Sequence, residues 1–208
     1  MRTARVIRIV LSTFIYFLSL SMSITSILAG YSAINILTTP GNINLPSGAI
    51  QTNIDLYAYS KTGVQNFYVY IPFDYTNAGY FELTDLAIEV TLKIEYIDSD
   101  TQEPKTIIFF NRKDAYPNVK RGEKYEGWYN IDEDDFNYNA IPENLFSKID
   151  TNRDPLIDVL ADVHLSGEYG IGLYAFEARL LDLNIASTTT SDLPQGAFED
   201  LLTAGQVL

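Results

Sequence analysis

The 208-residue chain has room for one folded domain with a leader or anchor, and too little for two comfortable hydrophobic cores. With 47% hydrophobic residues, 15 Tyr, 11 Phe and only 20% charged residues, it is rich in side chains that suit half-buried pleated surfaces, which argues against disorder. Setting aside Arg2, Arg5 and Arg8, the remainder carries 11 basic against 27 acidic side chains, a balance of −16 that excludes a nucleic-acid partner; the absence of cysteine excludes disulfides, thiolate metal sites and cysteine nucleophiles.

After three arginines, Ile9–Ala29 runs for 21 residues without a charge. About 20 predominantly apolar residues cross a bilayer core as a helix, and the positive-inside rule leaves an Arg-rich end in the cytoplasm. Residues 1–29 therefore read as a signal-anchor or a cleavable signal peptide, with the folded part outside at the cell membrane or secreted to the cell surface. A cut after Ala29 would place Ile27 where a small residue is preferred, which favours the uncleaved anchor. A buried core helix is the alternative, because five serines and two threonines dilute the stretch.

No charge returns until Asp55, so residues 30–52 form an uncharged connector, an extended stalk or a donor strand. Within it Ala33, Asn35 and Leu37 alternate with Ile34 and Ile36, and Tyr31–Leu37 could pair with an open sheet edge of a second copy. From residue 53 to 188 the period is two. Ile54, Leu56 and Ala58 alternate with Asp55, Tyr57 and Tyr59; Phe67, Val69, Ile71 and Phe73 alternate with Tyr68, Tyr70 and Pro72. The clearest strand sets Leu86, Ile88, Val90, Leu92, Ile94 and Tyr96 against polar neighbours, one face packed and one wet. Ile107–Phe110 and Tyr125–Ile131, the latter with the single Trp128, read as further strands, and Ile141–Ile149 as a short helix. Ile157–Leu165 and Leu173–Ile185 close the series around a Gly167–Gly172 hairpin, with residues 189–208 as a tail. The fold class expected is all-β: an antiparallel immunoglobulin- or fibronectin-like sandwich of about seven strands behind an N-terminal hydrophobic helix.

The block in which Ile71-Pro72-Phe73 leads through Tyr75-Thr76-Asn77-Ala78-Gly79-Tyr80-Phe81 to Leu83-Thr84-Asp85-Leu86 resembles the core signature of the type 2 late-embryogenesis-abundant (LEA-like) domain. The later strand and Gly-rich turn, Val159 to Gly172, fit the same pattern, as in exported archaeal proteins that carry such domains behind a hydrophobic N-terminus. Asn77-Ala78 stands where the family usually has Asn-Pro. The resemblance spans about half the chain. It implies a fibronectin-like sandwich with no catalytic residues to carry over.

Chemistry-bearing motifs are sparse. His164 is the only histidine, so it has no partner histidine for zinc and reads as a surface side chain beside Asp162 and Ser166. Asp132–Asp135, with Glu123 and Glu126 upstream, could supply the paired carboxylates of glycoside hydrolysis but reads more simply as a solvated turn. Asp150, Asn152, Asp154 and Asp158 have the oxygen spacing that begins a calcium loop. Pro155 replaces the glycine an EF-hand requires and Ala161 its bidentate Glu, which leaves a looser calcium site or a plain turn. Tyr57, Tyr59, Tyr68 and Tyr70 would form an outward aromatic stripe suited to glycans or a protein. The expectation is a non-catalytic domain, membrane-anchored or secreted, with a structural or adhesive role and no required cofactor; the alternative is a subunit of an extracellular filament assembled by strand complementation.

Overall fold

The computed structural model describes residues 2–39, 42–44, 49–142, 144–169 and 172–193. The expected tail beyond Leu193 and the tip of the Gly167–Gly172 turn at 170–171 lie outside these residues. Helix α1 (Arg2–Thr38) is followed by β1 (Ile43–Asn44), β2 (Gln51–Asn53), α2 (Leu56–Thr62), β3 (Tyr68–Thr76), β4 (Leu83–Ile97), β5 (Pro104–Ala115), β6 (Lys124–Ile131), β7 (Ile157–Tyr169) and β8 (Tyr174–Thr188). One sheet has β3 at its centre, flanked by β6 on one edge and by β1 and β2 in succession on the other; the second runs β5-β4-β7-β8. Every pairing of these strands is antiparallel.

The two sheets face each other across one core, in a sandwich-like arrangement. From β3 come Val69, Ile71, Phe73 and Tyr75; from β4 Ile88, Val90, Leu92 and Ile94; from β7 Ile157, Val159, Ala161, Val163 and Leu165, all buried. These are the apolar members of the period-two runs, so the register expected for β3, β4 and β7 is the register observed. Burying a Val, Leu or Ile in this way contributes about 1.5–3 kcal/mol each. Arg112 of β5 ties the sheets together. Its guanidinium lies 5.1 Å from the ring centroid of Tyr129 and 2.7 Å from Asp135. The Tyr129 hydroxyl donates back to the Arg112 carbonyl at 2.6 Å.

Four local expectations are corrected. Ala33–Leu37 is not a strand but the last turns of α1, because Ala29, Ser32, Ala33 and Ile36 are the buried positions and their spacing is helical. The connector is no stalk either: Ile43–Asn44 and Gln51–Asn53 pair with β3 along the edge opposite β6. Ile54–Tyr59 also fails as a strand. The Asp55 carboxylate accepts from the Ala58 N–H at 2.8 Å, Gly63 closes the segment at φ 69°, and α2 forms between these caps. The short helix expected at Ile141–Ile149 is a single 3-10 turn, Leu145–Lys148, that buries Leu145 and Phe146.

Candidate functional site

The sequence-derived candidates do not converge. Asp150 is buried, and its Oδ1 accepts from the backbone and side-chain N–H groups of Asn152, both at 3.0 Å. The backbone donor is the main cause that holds the Asp150 carboxyl below the usual carboxylate range. Asp154 accepts from the Thr190 N–H, whereas Asp158 accepts from Ser187 Oγ at 2.6 Å and Asn184 at 2.8 Å. Asp150, Asp154 and Asp158 line one open cleft of about 450 Å³ together with Glu95 and Arg153. Asn152 faces Asp150 as a donor rather than as an oxygen ligand. Among the described residues no three acidic or histidine side chains come together as a metal-binding group.

The acidic run has structural employment. Asp135 binds Arg112 and caps the 3-10 turn Glu133–Asp135 through the Asp132 N–H, and Asp132 receives the Tyr70 hydroxyl at 2.8 Å. His164 stands on the outer face of the second sheet, Nδ1 3.5 Å from Glu89 and Nε2 3.3 Å from Glu177, the latter without the alignment of a hydrogen bond. Lys93 lies on the same face and pairs with Asp162 and Asp182 at 3.0 and 2.6 Å. The aromatic stripe is split. Tyr68 and Tyr70 stack at 5.1 Å on β3, but Tyr57 and Tyr59 belong to α2, where they pack against Phe146 and Tyr138.

The best-constructed polar site lies elsewhere, at the junction of α1 with the domain. Asn77 is fully buried in the turn after β3. Its amide donates to the Phe81 and Val119 carbonyls at 2.9 and 2.7 Å, and its side-chain oxygen accepts from the Gly79 N–H at 3.0 Å and the Tyr169 hydroxyl at 2.9 Å. Both donors and both lone pairs of the side chain are thereby used. The backbone of Asn77 also bonds the β5–β6 connection, through Glu123 at 2.9 Å and Gly122 at 2.7 Å. Burial pushes the Tyr169 phenol up to about 12, so it remains a donor to Asn77 throughout the physiological range.

This turn grips the helix. Ser32 of α1, itself fully buried, accepts the Tyr80 N–H at 2.9 Å while its own hydroxyl donates to the Leu28 carbonyl at 2.7 Å. Asn35 donates to the Ala78 carbonyl, and Asn42 links the Asn35 carbonyl to the Thr76 N–H. A Cβ on Gly79 would fall 2.8 Å from both Ser32 Cβ and Tyr169 Cε1, so only glycine lets the turn approach α1 this closely. The site was half visible in the sequence: Asn77-Ala78-Gly79 is legible as a turn, but nothing local marks Asn77 as buried or Ser32 as its neighbour's acceptor.

Beyond the junction, Ile9–Thr38 meets the length and composition of a membrane span, with a mean hydropathy of 1.7. Its apolar residues from Ile9 to Ile27 project outward and exposed. Two of the diluting hydroxyls are satisfied within the helix: Ser23 and Thr25 each donate to the carbonyl four residues earlier, at 2.9 Å.

No protein-family model matches the chain, and no curated protein does. Among solved structures, the sporulation control protein Spo0M from Bacillus subtilis matches at 9% identity and a TM-score of 0.29, over 68% of this chain and 49% of that one. The chain thus spans about half the length of that protein, and so low a score carries no inference about fold or role.

Proposed function

We propose that this chain is a membrane-anchored, non-catalytic β-sandwich, its acidic domain displayed on the outer side of the membrane in a structural or adhesive role. The observation that carries the reading is the continuity of α1, an exposed apolar helix whose last turns belong to the domain core through Ala29, Ser32, Ala33 and Ile36. The arginines ahead of the span favour a cytoplasmic N-terminus. The same continuity favours an uncleaved anchor: a cut after Ala29 would leave Ser32, Ala33 and Ile36 on a helix of about ten residues, a length that is marginal by itself. Two facing antiparallel sheets support an immunoglobulin- or fibronectin-like outline, and the buried Asn77 turn supports the LEA-like resemblance. Filament assembly by strand exchange is the weaker reading, since Tyr31–Leu37 would have to unwind and withdraw Ala33 and Ile36 from the core.

The absence of cysteine makes the test direct. Asp100→Cys places a single thiol in an exposed turn. In intact cells a membrane-impermeant maleimide is expected to label it, and the labelled chain is expected at full mass in the membrane pellet after alkaline carbonate extraction. Labelling only after lysis would overturn the orientation, and recovery in the soluble fraction would overturn the anchor.

A further inference from the structure

The end of the domain that meets α1 is ringed by exposed aromatic and apolar side chains. Tyr31 of α1 is 56% exposed and pairs with Tyr80, 45% exposed, at a ring separation of 6.0 Å. Around the helix from this pair, the Tyr174 ring lies 3.4 Å from where a Cβ of Gly30 would be, and Leu173 is exposed beside it. Arg121 lies over the Tyr80 ring at 5.1 Å. Three tyrosines from three separate segments, the helix, the Asn77 turn and the start of β8, thus surround one level of α1. None is needed to close the core.

Their height along the helix is set by simple geometry. At 1.5 Å per residue, the twenty or so residues of Ile9–Leu28 rise about 30 Å, the thickness of a bilayer's hydrocarbon core. Tyr31 comes about 4.5 Å later, inside the headgroup layer, which adds roughly 5–8 Å on each side. The domain reaches the helix at this same level, since Ile27 is 71% exposed and Ala29 is fully buried. Tyrosine favours the bilayer interface because its ring is apolar and its hydroxyl is wet.

We infer that Tyr31, Tyr80, Leu173 and Tyr174 form an interfacial collar that seats the base of the domain in the headgroup layer of the membrane, an inference that rests on α1 being a membrane span. The occupant of this surface is lipid, and its recognition is amphipathic rather than ionic. Arg121 and Lys120 share this end of the domain with Glu82, Glu123 and Glu168, the Glu123 carboxylate accepting from the Lys120 backbone N–H at 3.3 Å, and with three acidic side chains beside two basic ones no net cationic patch remains to select anionic lipid.

The 208-residue chain carries one tryptophan, Trp128, which makes depth measurable. In a Trp128→Phe background, single tryptophans are placed by Phe17→Trp, Tyr80→Trp, Tyr174→Trp and Asp100→Trp, and each protein is reconstituted into phosphatidylcholine vesicles brominated either high on the acyl chain or near the bilayer centre. Tyr80→Trp and Tyr174→Trp are expected to lose most emission with the high bromines, Phe17→Trp with the central ones, and Asp100→Trp with neither. Quenching of Phe17→Trp alone would overturn the collar while leaving the span intact. No quenching at any position would overturn the span and the collar together. Quenching of the collar tryptophans only when anionic lipid is added would overturn the amphipathic recognition.

Discussion

The turns at the two ends of the sandwich use their polar side chains differently. Strand β4 separates them, its fifteen residues Leu83–Ile97 spanning about 46 Å at 3.3 Å per step. At the α1 end, Asn77 and Ser32 are fully buried and bonded to groups far away in sequence: Val119, Tyr169 and, from the helix, Tyr80. At the other end, Asp98 accepts from the Asp100 and Thr101 N–H groups and Asp150 from Asn152, all within three residues. Local bonds shape a loop and leave the remainder of the fold indifferent to it. Long-range bonds fix one segment against another, and those at Asn77 and Ser32 convert an attached helix into part of the domain.

Breaking the first kind of contact should therefore cost far more than breaking the second. Asn77→Ala leaves the Tyr169 hydroxyl, the Gly79 N–H and the Phe81 and Val119 carbonyls short of a partner. The expected loss is about 3 kcal/mol, a fall of roughly 6–12 °C in the thermal midpoint for a domain of this size, followed by circular dichroism in detergent. A change within error would mean that water replaces the amide and that the end is open.

Gly79→Val tests the helix contact more narrowly. Its Cβ must displace Ser32 and Tyr169, at an expected cost of about 1–3 kcal/mol, and limited proteolysis should then cut near Thr38–Thr39, where the helix ends. Protection equal to the parent's would show that the turn can retreat without releasing α1.

At the opposite end the expected effects are smallest and depend on pH. Backbone donation from Thr101 to Asp98, and from Asn152 to Asp150, is the main cause holding both carboxyls below their ordinary value. Each therefore stabilises the fold fully above the unfolded pKa of about 3.9, and that contribution drains away as pH falls through the lower folded pKa. The double variant Asp98→Asn, Asp150→Asn should melt slightly lower at neutral pH and decline less on acidification; a parallel decline would assign the acid sensitivity elsewhere. Calcium is expected to leave the melting curve where a chelator leaves it, and a midpoint that climbs with the logarithm of free calcium would show that Asp150, Asp154 and Asp158 gather around the ion.

Strands β3, β4 and β7 were readable from the chain because one of their faces is buried along its whole length, which imposes the period of two on the residues themselves. Ala33–Leu37 misled because alternating β-branched residues fit a strand and a helix equally over five positions, and the deciding contacts, to Tyr80 and Ala78, lie more than forty residues away. Around α2 the signals were present, Asp55 as cap and Gly63 as terminator, but Ile54, Leu56 and Ala58 imitate alternation although Leu56 alone among the helix residues is buried. The calcium spacing illustrates another limit: spacing gives the order of oxygens along a loop, not their direction, and the Asp150, Asp154 and Asp158 carboxylates turn to separate neighbours along one cleft.

The unbroken run of α1 from Arg2 to Thr38 has a mechanical consequence. A helix that enters the domain core without a hinge cannot change its tilt alone. Spans longer than the local hydrocarbon thickness respond by leaning, and with α1 as the proposed span such a lean would pass to the sheets. Over the roughly 46 Å of β4, a lean of about 10° would sweep the Asp98 end sideways by about 8 Å. Bilayer thickness would thus set the angle at which the outermost loops are presented.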